Sequence, residues 1–252
     1  MEENIKKEEK TNKKNTLAMP IAVIIAAILI SGSVIYTGGK TEKVNNINNV
    51  NNPQQQVAEQ QTGDLEQMIP VSKDDHIRGN PNAPVKIVEY SDTECPFCKG
   101  FHDTMKQVMD TEGKDGKVAW VYRHFPLDQL HSKARKEAEA TECAADLGGN
   151  DKFWAYLDRL MEVTPANNGL DPAELPKIAT YVGLDANKFN ECLSSGKYAK
   201  KIEEHVQNAA ATGGNGTPWS IVVAKNGKKY PLSGAQPYTA VKQLIDLSLQ
   251  GK

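Results

Sequence analysis

The chain has 252 residues, with 30 basic against 32 acidic side chains and a formal net charge of -2. That balance gives no electrostatic reason to bind nucleic acid, and no internal repeat suggests an array. The length allows one sizeable domain plus accessory segments. Four cysteines are present, and their spacing carries the strongest chemical signal in the chain.

Leu17 to Tyr36 (LAMPIAVIIAAILISGSVIY) carries no charged side chain and has the length a bilayer-spanning helix needs, about 20 residues. Lys6, Lys7, Lys10, Lys13 and Lys14 precede it, while only Lys40 and Lys43 follow closely. This lysine bias holds the amino end in the cytoplasm. Residues 1–16 are therefore expected to be a cytoplasmic segment and 17–36 a transmembrane signal anchor in the cell membrane. Everything after them would be extracytoplasmic, in the periplasm or on the outer face. A cleaved signal peptide is the competing reading, because Leu17 to Ile30 also suits an h-region and Ser31-Gly32-Ser33 has a small-x-small cleavage pattern. Both readings export the rest of the chain.

Residues 37–68 read as a disordered linker. Thr41 to Gly63 includes NNINNVNNPQQQVAEQQTG, which is too polar to build a core. Residues 69–252 form the expected folded domain, long enough to bury a sizeable core.

Within that domain, Val85 to Tyr90 (VKIVEY) is short, β-branched and apolar and predicts a strand. Cys95-Pro96-Phe97-Cys98 comes next, and then Lys99 to Glu112 places Phe101, Met105, Val108 and Met109 at helical spacing. Pro96 suits the first turn of that helix, where its missing N–H costs nothing. Two thiols separated by two residues at a helix start are the working parts of a dithiol/disulfide centre. The unpaired N–H groups of the first turn stabilise negative charge on Cys95. Half of a zinc site would look the same from the tetrapeptide alone.

Val118 to Phe125 (VAWVYRHF) predicts a further strand. Beyond it about five helices are expected: Ser132 to Leu147, Lys152 to Val163, Pro172 to Val182, Ala186 to Ser194 and Tyr198 to Ala211. Lys133, Arg135 and Lys136 alternate with Glu137 and Glu139 and read as a solvated helix face. The other two cysteines, Cys143 and Cys192, lie on separate helices. In an oxidising compartment they are candidates for a structural disulfide; two free buried thiols, or a zinc site combining all four cysteines, are the alternatives. The zinc reading is disfavoured because tetrahedral ligation would consume the redox pair.

His102 falls one turn after Cys98, where it could approach the active site or sit on the helix surface. His76, His124, His131 and His205 form no metal-ligand spacing, and no metal is assigned. Trp120 and Trp154 read as core aromatics. Gly216-Thr217-Pro218-Trp219-Ser220 opens the apolar run Ile221-Val222-Val223, which ends at the hairpin signal Asn226-Gly227. Trp219 is expected beside this proline loop.

Three stretches together, GNPNAPVKIVEYSDTECPFC, GTPWSIVVAKNGK and LSGAQPYTAVKQLI, resemble the thioredoxin superfamily, and within it the DsbA type of extracytoplasmic thiol:disulfide oxidoreductase. The resemblance runs from about Gly79 to Gln250. It implies an α/β thioredoxin-like fold carrying a helical insertion at about 131–213, here preceded by the N-terminal transmembrane helix. It implies a cis peptide at Thr217-Pro218 lying against the Cys95/Cys98 pair and helping to bind an extended substrate backbone. Glu89, six residues before Cys95, matches a buried acid that would accept or relay the proton of Cys98. A surface carboxylate is the alternative for Glu89.

One departure stands out. Strongly oxidising members of the family often have histidine where this chain has Phe97, which cannot donate a hydrogen bond to the Cys95 thiolate. The expected function is a membrane-anchored enzyme that introduces disulfides into exported cysteine-containing proteins by exchange at Cys95 and Cys98, with no cofactor. Its expected partner for reoxidation is a quinone-linked membrane oxidase. A reductase or isomerase held reduced by a membrane electron donor, or a tethered binding module without turnover, remain the alternatives.

Overall fold

The computed structural model describes residues 63–251. The expected cytoplasmic segment, the anchor at 17–36 and the linker up to residue 62 lie outside the described residues. Among the described residues no helix is long and apolar enough to cross a membrane.

The folded part starts earlier than residue 69. A 3-10 turn at Leu65–Gln67 is capped by Asp64, whose side chain accepts the Glu66 N–H, and Met68 is buried with Val88, Tyr90 and Trp219. Leu65 and Met68 are spaced to dock this turn, a signal that the polar tract before them obscures.

Among the described residues, five strands make one sheet in the order β1-β3-β2-β4-β5: β1 (His76–Gly79), β2 (Val85–Ser91), β3 (Val118–His124), β4 (Trp219–Val223) and β5 (Lys229–Ser233). Only β2 and β3 run parallel; the other neighbours are antiparallel. The expected strand at 85–90 is thus the second in the chain. A four-residue edge strand precedes it, too short and too polar in pattern to announce itself. The central strands β2 and β3 are buried on both faces, which explains their near-continuous apolar runs.

One face of the sheet carries helix α1 (Pro96–Thr111) and the closing helix α6 (Tyr238–Gln250). Val85, Ile87, Trp120, Tyr122 and Val222 from the strands meet Phe101, Met105, Val241 and Ile245 there. On the opposite face Val88, Tyr90, Val121 and Ile221 pack with Ala209 of helix α5 (Ala199–Ala211).

Between β3 and β4 lies the helical insertion. It consists of α2 (Ala134–Val163), α3 (Glu174–Tyr181), α4 (Ala186–Ser195) and α5. α2 is two helices joined at Gly149, whose φ of 73° and ψ of -168° interrupt the helix in a region that glycine enters without steric cost. The five expected helical runs are therefore present. Cys143 and Cys192 are joined in a disulfide, with Cα atoms 5.8 Å apart, inside an apolar cluster of Tyr156, Leu160, Ile178 and Phe189.

The solvated face expected on α2 is not what forms. Glu137 and Glu139 are 2% and 8% exposed, because this side of the helix turns toward the rest of the domain. Glu137 accepts a hydrogen bond from Thr93 Oγ1 at 2.6 Å, and Glu139 pairs with Lys136. Charge alternation along the chain does not report which arc of a helix is covered.

Candidate active site

Cys95 occupies the N-cap of α1 in extended conformation, and Pro96 takes the first helical position. The carbonyl of Cys95 accepts the Lys99 N–H at 3.1 Å, closing the first turn. Cys98 is fully buried, whereas Cys95 keeps 4% of its surface. Pro96 and Phe97 stand out into solvent, Phe97 at 68% exposure. An incoming sulfur can therefore meet Cys95 and not Cys98.

The two thiols have opposite acidities. The neighbouring Cys98 thiol, the contact with Thr217 and the Phe97 and Cys98 backbone N–H groups together bring Cys95 down to about 6, against the opposing effect of burial. Burial drives Cys98 well above the ordinary thiol range, and the nearby Cys95 and Glu89 push it the same way. This is the split that thiol exchange needs: a thiolate at the accessible end and a protonated thiol beneath it.

The proline loop closes over the pair. The Thr217-Pro218 peptide is cis, and the Cys95 thiol lies 3.5 Å from the Thr217 carbonyl oxygen. Trp219, the next residue, is buried and donates from Nε1 to Thr212 Oγ1 at 3.0 Å. Gly214 makes this approach possible, since a Cβ there would come within 2.8 Å of the Trp219 ring.

Beneath the thiols, Glu89 is completely buried; it is not the surface carboxylate of the alternative reading. Its Oε2 accepts the Trp120 Nε1–H at 2.8 Å, and Oε1 has no hydrogen-bond partner among the described residues. Burial raises its carboxyl to about 7, with the Ser91 hydroxyl and the Trp120 N–H pulling the other way. Trp120 is therefore more than a core aromatic.

A second group of polar residues braces the loop before Cys95. The Asp92 carboxylate accepts the Leu127 N–H at 2.7 Å and the Glu94 N–H at 2.8 Å and faces His131 Nδ1 at 2.9 Å. Glu94 accepts the Gly169 and Leu170 N–H groups, and its carbonyl accepts the Asn167 N–H. Lys99 Nζ donates to the Thr164 carbonyl at 2.6 Å. These contacts bind the helical insertion to the CxxC loop. Nothing in the local pattern of SDTEC signals them, because their partners lie far along the chain.

His102 is not on the surface; it packs behind Trp120, the residue that holds Glu89. It is 2% exposed, with Nε2 2.8 Å from Asp158 Oδ1, and its ring lies 5.0 Å from Trp120. The remaining histidines are structural neighbours of other groups: His76 and His124 both face Glu142 at 2.9–3.0 Å, and His205 Nδ1 accepts the His124 N–H.

A family model described as Thioredoxin matches residues 71–247. The chain is similar to the crystal structure of DsbA2 from Pseudomonas aeruginosa, with 28% identity and a TM-score of 0.61 over 72% of this chain and 97% of that one. It also shares the fold of oxidised BdbD from Bacillus subtilis, at 24% identity and a TM-score of 0.63 over 73% and 97% of the two chains. Among curated sequences it is 36% identical over 170 residues to the Na(+)/H(+) antiporter NhaA 1 of Salinispora arenicola, and 33% identical over 158 residues to the protein of that name from Mycolicibacterium gilvum. The match covers 67% and 62% of this chain but only 24% of each relative, so the chain spans about a quarter of the length of these antiporters.

Proposed function

Since the chain belongs to the thioredoxin family, as a thiol:disulfide oxidoreductase of the DsbA type, we propose that it donates disulfides to exported proteins from a position anchored at the outer side of the cell membrane. The observation that carries the reading is the pairing of a Cys95 held down to about 6, which keeps a sliver of exposed surface beside the solvent-exposed Pro96 and Phe97, with a fully buried Cys98 held high.

In the oxidised pair, a substrate thiolate attacks Cys95 Sγ. The Cys95–Cys98 bond breaks, a substrate–Cys95 bond forms, and Cys98 leaves with the electron pair and takes up a proton. A second substrate thiolate then attacks the substrate sulfur of the mixed disulfide, forming the new substrate disulfide and releasing Cys95 as thiolate. Two electrons have passed from substrate to enzyme. Stabilising the Cys95 thiolate makes it a better leaving group and favours the reduced enzyme, which makes the oxidised form the stronger oxidant.

Glu89 is the group placed to exchange a proton with Cys98, since a carboxyl near 7 gains or loses its proton at little cost at neutral pH. Thr217 and Pro218 border Cys95 on the side where an extended substrate backbone would lie. The apolar anchor at 17–36 and the polar tract after it support a tethered, extracytoplasmic domain. A quinone-linked membrane protein would accept the two electrons and restore the disulfide.

The test is a redox titration of the Cys95/Cys98 pair against glutathione. The expected potential lies well above the approximately -270 mV of thioredoxin. A value at or below that would reverse the direction of electron flow and make the protein a reductase or isomerase.

A further inference from the structure

Glu89 does not stand alone under the active site. Strand register sets Tyr122 of β3 on one side of it and Ser220 of β4 on the other, and Ser91 comes two residues later on β2. Side chains two apart on a strand share a face, so Glu89 and Ser91 both point to the side that α1 covers. All four are essentially inaccessible.

Four polar atoms there, Glu89 Oε1, Ser91 Oγ, Tyr122 Oη and Ser220 Oγ, lack a hydrogen-bond partner among the described residues. Native interiors leave few such groups, and a cluster of them calls for a functional explanation. The thiol that the reaction uses adjoins the same cluster: the Asp92 backbone N–H, the next peptide after Ser91, donates to Cys98 Sγ at 3.4 Å.

Resting on the reading of Glu89 as the acid–base group, we infer that the Ser91 hydroxyl is the relay through which protons pass between Glu89 and Cys98. Ser91 shares the strand face of Glu89 and is one peptide from the N–H that reaches Cys98 Sγ, so its hydroxyl adjoins both groups while making a hydrogen bond to neither at rest. As Cys98 leaves Cys95, its sulfur takes the hydroxyl proton of Ser91 while the Ser91 oxygen takes the proton of Glu89 Oε1. Glu89 ends as carboxylate, Ser91 ends unchanged, and Cys98 ends as thiol. The reverse transfer frees Cys98 to attack when the pair is reoxidised. A hydroxyl suits this task because it donates one proton and accepts another at the same oxygen.

The titratable groups facing Ser91 are Glu89 on its own strand, Tyr122 and His124 on β3 and the two thiols of α1 and its cap; His124, directly opposite Ser91, is turned by Nε2 to Glu142 at 2.9 Å, and burial lowers its pKa and keeps it neutral. The Asp92 carboxylate is turned away to His131 and Leu127. Tyr122, whose hydroxyl is held well above its ordinary range by burial and by Glu89, stays protonated and does not replace Ser91.

The experiment follows the rate at which dithiothreitol reduces the oxidised full chain, by tryptophan fluorescence across pH, for the native protein and for Ser91→Ala, Ser91→Thr and Glu89→Gln. The expected result is a loss of roughly tenfold or more in Ser91→Ala, together with loss of the inflection near 7 that Glu89→Gln also abolishes. Ser91→Thr, which keeps a hydroxyl, retains both rate and inflection. If Glu89→Gln loses the inflection while Ser91→Ala keeps it and the native rate, the relay is overturned and Glu89 stands. If Glu89→Gln keeps the native profile, the acid–base reading of Glu89 falls, and the relay with it. Equal urea midpoints for Ser91→Ala and Ser91→Thr separate lost proton transfer from lost folding.

Discussion

Trp120 reaches diagonally across the β2–β3 ladder to Glu89. Its own Cα partner is Ile87, yet its Nε1 donates to Glu89 Oε2 at 2.8 Å. The indole is held in place from three sides, by Trp154 with ring centroids at 4.7 Å, by His102 at 5.0 Å and by the Arg78 guanidinium 5.3 Å from its ring.

Removing that donor with Trp120→Phe leaves both carboxyl oxygens of Glu89 without a partner. The carboxyl should then titrate above its native value of about 7, since the N–H favours the charged form. The domain should lose about 1–3 kcal/mol of stability, the cost of an unmet buried polar group, plus the packing of the larger ring. Titration of carboxyl-labelled glutamate by NMR and urea unfolding check the two parts.

The cysteines should separate cleanly in chemistry. Alkylation of reduced protein should rise with pH through about 6, the value for Cys95, and Cys95→Ser should remove this fast phase and all exchange activity. Cys98→Ser should keep the fast phase and accumulate mixed disulfides, because the buried resolving sulfur is gone. Mass spectrometry of trapped species and the pH profile of alkylation decide it.

Glu137 makes stability depend on pH. Burial, then the neighbouring Glu94, raise its carboxyl from 4.5 to about 8, so between those values the folded state holds a proton that the unfolded chain has released. Its contribution is full below 4.5 and is lost as pH rises toward 8, with a slope of up to about 1.4 kcal/mol per pH unit. Glu137→Gln should remove this slope and gain on the native protein as pH rises. Urea midpoints for both proteins at a series of pH values give the difference directly.

Cutting the Cys143–Cys192 bridge by paired serine substitution opens a loop with a sequence separation of 49. The chain-entropy model sets the loss at about 4 kcal/mol, reduced by any native strain. Exchange at Cys95 should survive at temperatures where the domain remains folded, because the bridge belongs to the cluster of Tyr156 and Phe189 and not to the thiol site. Calorimetry of the native and bridge-free proteins tests this.

Much of the site is legible in the chain because its signals are local. The CxxC tetrapeptide, Pro96 at the first helical position, the Thr217-Pro218 dipeptide and the Asn226-Gly227 turn each declare themselves within a few residues. Ser91 and Tyr122 do not. Ser91 shares a face with Glu89 by simple alternation along β2, which offers a usable clue, but Tyr122 joins them only through the register of β2 on β3. Glu137 departs from its expected solvated face because sequence alternation gives the charge on a helix face and not the partner covering it. His102 departs from the surface alternative for the same reason: its burial depends on Asp158, 56 residues away.

The bridge inside the insertion also sets a condition on how the protein comes into being. Two electrons and two protons must leave Cys143 and Cys192 before the helices they join are locked together, and some acceptor has to be at hand when the first copies arrive. A thiol:disulfide oxidoreductase thus depends, for its own maturation, on the kind of exchange it carries out, and a compartment too reducing to form the bridge would leave the enzyme unfinished.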